Sequence, residues 1–184
     1  MNTCSSYLFL FACAAGSMLG QAPPAAGGSP ASPDATASAV IGGKVLSIKY
    51  SAPSVRGRQI FGPKGLISND ATYPVWRAGA NSATSFHTDA DLTIGTLEVP
   101  RGDYTIYAQV GDPDNWQLII NKQTGQWGLT YDEKQDLGRV KMTMNKSPSL
   151  IEVFKITLAA TGPKAGKLQL EWERHIASVP LTLH

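Results

Sequence analysis

Tyr104-Thr105-Ile106-Tyr107-Ala108-Gln109-Val110, then Gly111-Asp112-Pro113-Asp114-Asn115, then Trp116-Gln117-Leu118-Ile119-Ile120-Asn121 is the stretch that decides the fold. Tyr104, Ile106, Ala108 and Val110 alternate with Thr105, Tyr107 and Gln109, and Trp116, Leu118 and Ile120 alternate with Gln117, Ile119 and Asn121. Successive side chains of a strand point to opposite faces, so each run buries one face. The Gly/Asp/Pro/Asn cluster between them is turn chemistry, and the whole reads as a hairpin with a five-residue loop.

The same period recurs on both sides of this hairpin. Val140, Met142 and Met144 alternate with Arg139, Lys141 and Thr143, and Phe154, Ile156 and Leu158 alternate with Lys155 and Thr157. Leu168, Leu170 and Trp172 alternate with Gln169, Glu171 and Glu173 after the turn residues Gly162-Pro163 and Gly166, which pairs this run with Ile151–Ala159. Upstream, Val45–Tyr50, Gln59–Phe61, Ala83–Thr88 and Leu92–Val99 read as further strands, and Pro100-Arg101-Gly102-Asp103 as a tight turn. About eight short strands with Gly and Pro turns and no amphipathic helix predict an all-β fold: a single antiparallel β-sandwich, jelly-roll or immunoglobulin-like. A barrel is the alternative.

Ahead of this domain the composition changes twice. The apolar run Tyr7–Ala15 between a short polar start and small residues reads as a signal peptide over 1–22, although Met1–Ser6 carries no Lys or Arg. Residues 23–39, rich in Pro, Ala, Gly and Ser, read as a disordered linker, leaving 40–184 as the β-sandwich domain. Both cysteines, Cys4 and Cys13, fall in the leader, so the expected mature domain has no disulfide and no cysteine-ligated metal. Leu10-Phe11-Ala12-Cys13 loosely matches a lipoprotein signal. A lipid anchor at Cys13 is therefore the alternative to free export into the periplasm or medium, and the one route to a membrane. The formal charge of +2, from 16 basic and 14 acidic residues without runs, argues against nucleic acid as a partner.

Several segments carry a more specific pattern: Ile48-Lys49-Tyr50-Ser51-Ala52-Pro53-Ser54-Val55-Arg56-Gly57-Arg58, Val75-Trp76-Arg77-Ala78-Gly79-Ala80-Asn81-Ser82-Ala83-Thr84, Pro100-Arg101-Gly102-Asp103-Tyr104, Gln126-Trp127-Gly128 and Leu170-Glu171-Trp172-Glu173. In this order they resemble the bacterial family catalogued as domain of unknown function 2911. The resemblance implies an exported, β-rich envelope protein and supplies no catalytic residues. Gly62–Asp70 and Ile94-Gly95-Thr96-Leu97 depart from it, and a site built on either loop would be altered here.

Within these segments Arg58, Trp76, Arg77 and Asn81, with Asn121, Gln126 and Trp127 as neighbours in space, form the first candidate site. Arginine offers a planar fork of donors, Asn and Gln a donor and an acceptor each, and Trp a flat apolar face: the groups that hold a sugar or a carboxylate. The competing reading is that these are structured loops whose side chains satisfy buried backbone. The surroundings of Arg77 separate the two. Buried, with every donor occupied by backbone, it is scaffolding; exposed in a recess, it is a recognition group. A second, weaker candidate is a metal site at His87, Asp89 and Asp91, alternate residues of one strand face. Asp112-Pro113-Asp114-Asn115 lacks the Gly and distal acid of a calcium loop and reads as a turn. No nucleophile elbow or cofactor motif occurs, so no cofactor is expected. Three functional readings remain: an exported, noncatalytic envelope domain binding a small polar ligand or glycan; a hydrolase using Arg77 and Asn81 to stabilise charge; and an assembly protein meeting an envelope partner at a sheet edge.

Overall fold

The computed structural model describes Met1 and residues 31–184. Beyond Met1, the segment read as a signal peptide, with Cys13, and the segment read as a linker up to residue 30 lie outside the described residues. The described chain forms eleven strands: β1 (Asp34–Ile41), β2 (Lys44–Ser51), β3 (Val75–Trp76), β4 (Ala80–Thr88), β5 (Leu92–Ile94), β6 (Leu97–Val99), β7 (Gly102–Gln109), β8 (Gln117–Asn121), β9 (Asp136–Lys141), β10 (Thr143–Ala160) and β11 (Ala165–Leu183).

Two antiparallel sheets face each other as a β-sandwich. The first has the order β1-β2-β4-β7-β8-β9, with β3 added beside β7, and the second the order β10-β11-β5-β6. The hairpin expected at Tyr104–Asn121 is β7-β8, paired from Thr105↔Asn121 to Gln109↔Gln117 inside the first sheet, with only β9 beyond it. Its loop is tied by Asp112, whose carboxylate accepts the Asp114 N–H at 3.0 Å and the Asn115 Nδ2 at 2.7 Å. Between β9 and β10 only the buried Met142 intervenes, so the chain crosses from one sheet to the other within a single residue.

The inner faces carry the expected alternation, and Phe61, Trp76, Trp116, Phe154 and Trp172 meet at their centre. Trp76 stacks on Trp172 with ring centroids 5.5 Å apart and meets Phe61 and Phe154 edge-on, both favourable for ring quadrupoles. On β11 the phase of burial changes. Leu168, Leu170 and Trp172 point inward, and so do Ala177, Val179, Leu181 and Leu183, an odd number of residues further on. Glu173, at φ 57°, is where the strand slips phase, and the β10–β11 register shifts there too.

Three expectations need correction. Residues 34–39 belong to β1 rather than to a linker: Ala37 and Ile41 face the core, and the whole strand pairs with β2. Alanine is a poor strand signal, and the hydrogen bonds come from β2, not from local sequence. Gln59–Phe61 is no strand; Ile60 and Phe61 are buried in a loop whose backbone bonds to residues 66 and 67 and to the Glu173 carboxylate. Leu92–Val99 is two strands, β5 and β6, because Gly95 takes φ 58° and turns the chain back.

Candidate functional site

Arg77 is set by what flanks it. Trp76 enters the core from β3, and Ala78 then takes φ 48°, folding the chain back toward β4. The bend is locked by Trp76 Nε1–H donating to the Gly79 carbonyl at 3.1 Å and Thr84 Oγ1–H to the Ala78 carbonyl at 2.8 Å. With its neighbours held in this way, Arg77 lines a recess of about 170 Å³ together with Arg58, Asp70, Gly79 and Trp172. Its Nη2 lies 3.7 Å from the Asp70 carboxylate, an ion pair beyond hydrogen-bond range. Among the described residues Nε and Nη1 are buried with no acceptor, and Asp70 Oδ2 is buried with no donor. The side chain has no slack on its other side: a Cβ on Gly128 would overlap Arg77 Cδ and sit 2.6 Å from the Asn81 carbonyl. Arg58 is fixed by Nε and Nη2 donating to the Val55 and Ser54 carbonyls at 3.0 and 2.7 Å.

The other members of the candidate set separate. Trp76 is fully buried in the aromatic core, out of reach of any ligand. Asn121 is buried too; its Nδ2 donates to the Asp132 carbonyl and Asp136 Oδ1 and its Oδ1 accepts the Gln123 N–H, so it braces the loop that follows β8. Gln126 donates to Tyr107 Oη at 2.9 Å and Thr105 Oγ1 at 3.3 Å and pins the same loop. Asn81, at φ 59°, donates to Ser51 Oγ at 3.4 Å. Trp127 is 55% exposed. Pairing between β2 and β4 jumps from Lys49↔Ser85 to Ser51↔Ala80, so residues 81–84 bow away from β2. They pair instead with the loop, through Ser82↔Trp127, Ala83 N–H to Gln126 O and Gly128 N–H to Asn81 O.

A family model described as a protein of unknown function (DUF2911) matches residues 32–181. The chain belongs to this family. No curated protein and no solved structure gives a significant match. The matched region covers the sandwich from just before β1, in keeping with the earlier domain start seen in the fold.

In this DUF2911 member the proposed metal trio is not brought together. His87 Nδ1 lies 2.8 Å from Asp103 Oδ1 and its Nε2 3.0 Å from Asp89 Oδ1, while Asp91 turns away to accept the Arg101 N–H. The register pairs His87 with Asp103 across β4 and β7, and both ring nitrogens are thereby taken by carboxylates. Hydrogen bonds to Asp89 and then Asp103 raise the His87 pKa above its ordinary 6.5, and the bond from His87 lowers that of Asp89 below 3.8. A raised pKa for a base means that its stabilisation is complete below the unfolded value and is lost as pH rises through the folded one; the lowered acid loses its share as pH falls. The pair therefore contributes between pH 3.8 and 6.5. An NMR titration of the His87 ring is expected to show a midpoint above 6.5 that moves down in both Asp103→Asn and Asp89→Asn. A midpoint unmoved by either substitution would refute the arrangement.

Two groupings of polar side chains in this DUF2911 chain carry no signal in the sequence. Asp70 comes from the divergent Gly62–Asp70 segment and reaches Arg77 only through the tertiary fold. His175 stacks on Trp116 with centroids 5.4 Å apart, its Nδ1 is 3.3 Å from Glu173 Oε2, and burial holds its pKa below the ordinary value. Beyond the β8 loop, Arg139 binds Asp136, Tyr131, Glu133 and Gln109, making that loop a braced wall on the outer face of the first sheet.

Proposed function

We propose that this chain is an exported, noncatalytic envelope domain that binds a small anionic ligand, one bearing a carboxylate, in the recess at Arg77. The observation that carries the reading is the pair of buried Arg77 donors, Nε and Nη1, without an acceptor among the described residues. A buried donor left unpaired costs about 1–3 kcal/mol, more when charged, so a ligand oxygen that satisfies it recovers that energy. Two guanidiniums against one carboxylate favour an anion. The volume of about 170 Å³ is close to that of cavities that hold one small ring. A short carboxylate fits; an oligosaccharide does not. Export rests on the reading of residues 1–22. The hydrolase alternative has less behind it, since the Asn81 amide is turned to Ser51.

A thermal-shift screen of the full chain with acetate, succinate, glucuronate and phosphate tests this. A carboxylate is expected to raise Tm in the wild type and leave Arg77→Ala unmoved; a ligand at one hundred times its Kd stabilises by about 2.7 kcal/mol. No shift with any anion, joined to a large loss of stability in Arg77→Ala, would make Arg77 scaffolding instead.

A further inference from the structure

We propose that the outer face of the first sheet holds a second site, a groove for a neutral oligosaccharide that crosses β1, β2, β4 and β7 with Trp127 at its rim. The floor follows from register. Thr36 pairs with Lys49, Lys49 with Ser85, and Ser85 with Thr105; one step along, Ser38 pairs with Ser47, Ser47 with His87, and His87 with Asp103. Side chains opposite one another across a ladder share a face, so these rows lie side by side on the face turned away from the core, open as far as Ser85 and Asp103 and covered by Gln126 at Thr105. Most are short hydroxyl residues, which keeps the floor low. Four neighbouring strands span about 14 Å, the scale of an oligosaccharide rather than a single ring.

Two hollows lie on this face, of about 290 and 340 Å³, and they adjoin at Lys49 and Ser85, which line both. Farther along the same face Tyr107 and Ile119 are sealed by the β8 loop, with Tyr131 packed over them. The covering loop stops at Gln126–Gly128 and becomes a wall. Trp127, opposite the groove-lining Ser82, is held by backbone hydrogen bonds on both sides, from Ala83 N–H to Gln126 O and from Gly128 N–H to Asn81 O. Its indole is thus an exposed apolar plate whose backbone is fixed before any ligand arrives.

The chemistry selects the ligand. Hydroxyls both donate and accept, matching the hydroxyls of a sugar, and an indole face suits the C–H face of a pyranose. Lys49 and His87 are balanced by Asp34 and Asp103, so the groove has no net demand for an ion, unlike the recess at Arg77. The two linings share no residue.

The test is calorimetric titration of the full chain with cellotetraose, maltotetraose and chitotetraose. At least one is expected to saturate with a Kd of about 0.1–1 mM. Trp127→Ala is expected to weaken it about tenfold or more, as for a central aromatic anchor. Ser85→Arg, which raises the floor, should abolish it. Both positions are exposed, so circular dichroism should show the fold retained. The sugar affinity should be the same with and without saturating acetate, which keeps this result separate from the recess. Saturation by none of the three sugars, or binding that survives both groove substitutions, overturns the proposal.

Discussion

Trp76→Ala is expected to lower the free energy of unfolding by about 3–5 kcal/mol, the range for truncating a buried tryptophan. The side chain is fully buried and touches Phe61, Trp116, Phe154 and Trp172, so the void would open where both sheets meet. The Gly79 carbonyl would also lose the indole N–H that it accepts at 3.1 Å, loosening the bend that positions Arg77. Against a total stability of about 5–15 kcal/mol this is a large fraction, and urea denaturation measures it directly. A loss below about 1.5 kcal/mol would mean that the cluster repacks, and that Trp76 is closer to the surface than its neighbours indicate.

Deleting Glu173 is expected to do more. Upstream of it even-numbered residues of β11 face the core, and downstream odd-numbered ones do. Removing one residue puts Ala177, Val179, Leu181 and Leu183 on the solvent face if the upstream half keeps its register. Each of the three larger side chains is worth about 1.5–3 kcal/mol when buried, so together they approach the whole stability of a domain. The Ile60 N–H would also lose the Glu173 carboxylate that accepts it at 3.1 Å. The deletion variant should lack a cooperative unfolding transition. Glu173→Gly, which keeps the residue count and suits φ 57°, should retain one. Equal behaviour of the two variants would show that side-chain contacts of Glu173, and not phase, hold this part of β11.

These two experiments mark where sequence reading reached its limit. Alternation of period two is a local property, so β7, β8 and the first half of β11 were legible from their own residues. A phase slip inside a strand is not local: reading on from Trp172, alternation breaks, and the run after Glu173 looks like a tail although it continues the same strand. β1 was missed for a related reason, since its three alanines, with Thr36 and Ser38 between them, commit to a strand only when β2 supplies the hydrogen bonds.

The candidate site divides in the same way. Arg58 and Arg77 were singled out by residue chemistry, and both line one recess. Trp76 was singled out by the same chemistry, but which side of a two-residue strand faces inward depends on what lies on either side of it, and the core lies on the Trp76 side. His87 and Asp89 do meet, yet the other carboxylate is Asp103 rather than Asp91. The cross-strand partner sixteen residues away is set by register, whereas Asp89 and Asp91 lie beyond the end of β4, where strand alternation no longer holds them on one face.

By itself the sequence determined that this chain is all-β and antiparallel, with the apolar face of each alternating strand turned inward, because strand periodicity and turn chemistry act between residues close in the chain. Only the tertiary structure decided which polar groups remain unpaired. Asp70 reaches Arg77 from the preceding loop and Gly128 from the loop after β8, that loop covers Tyr107 and Ile119 on one sheet face, and residues 81–84 pair with it rather than with β2. Unpaired donors and uncovered faces are what remains after every segment has taken its partners, so no segment carries them in its own sequence.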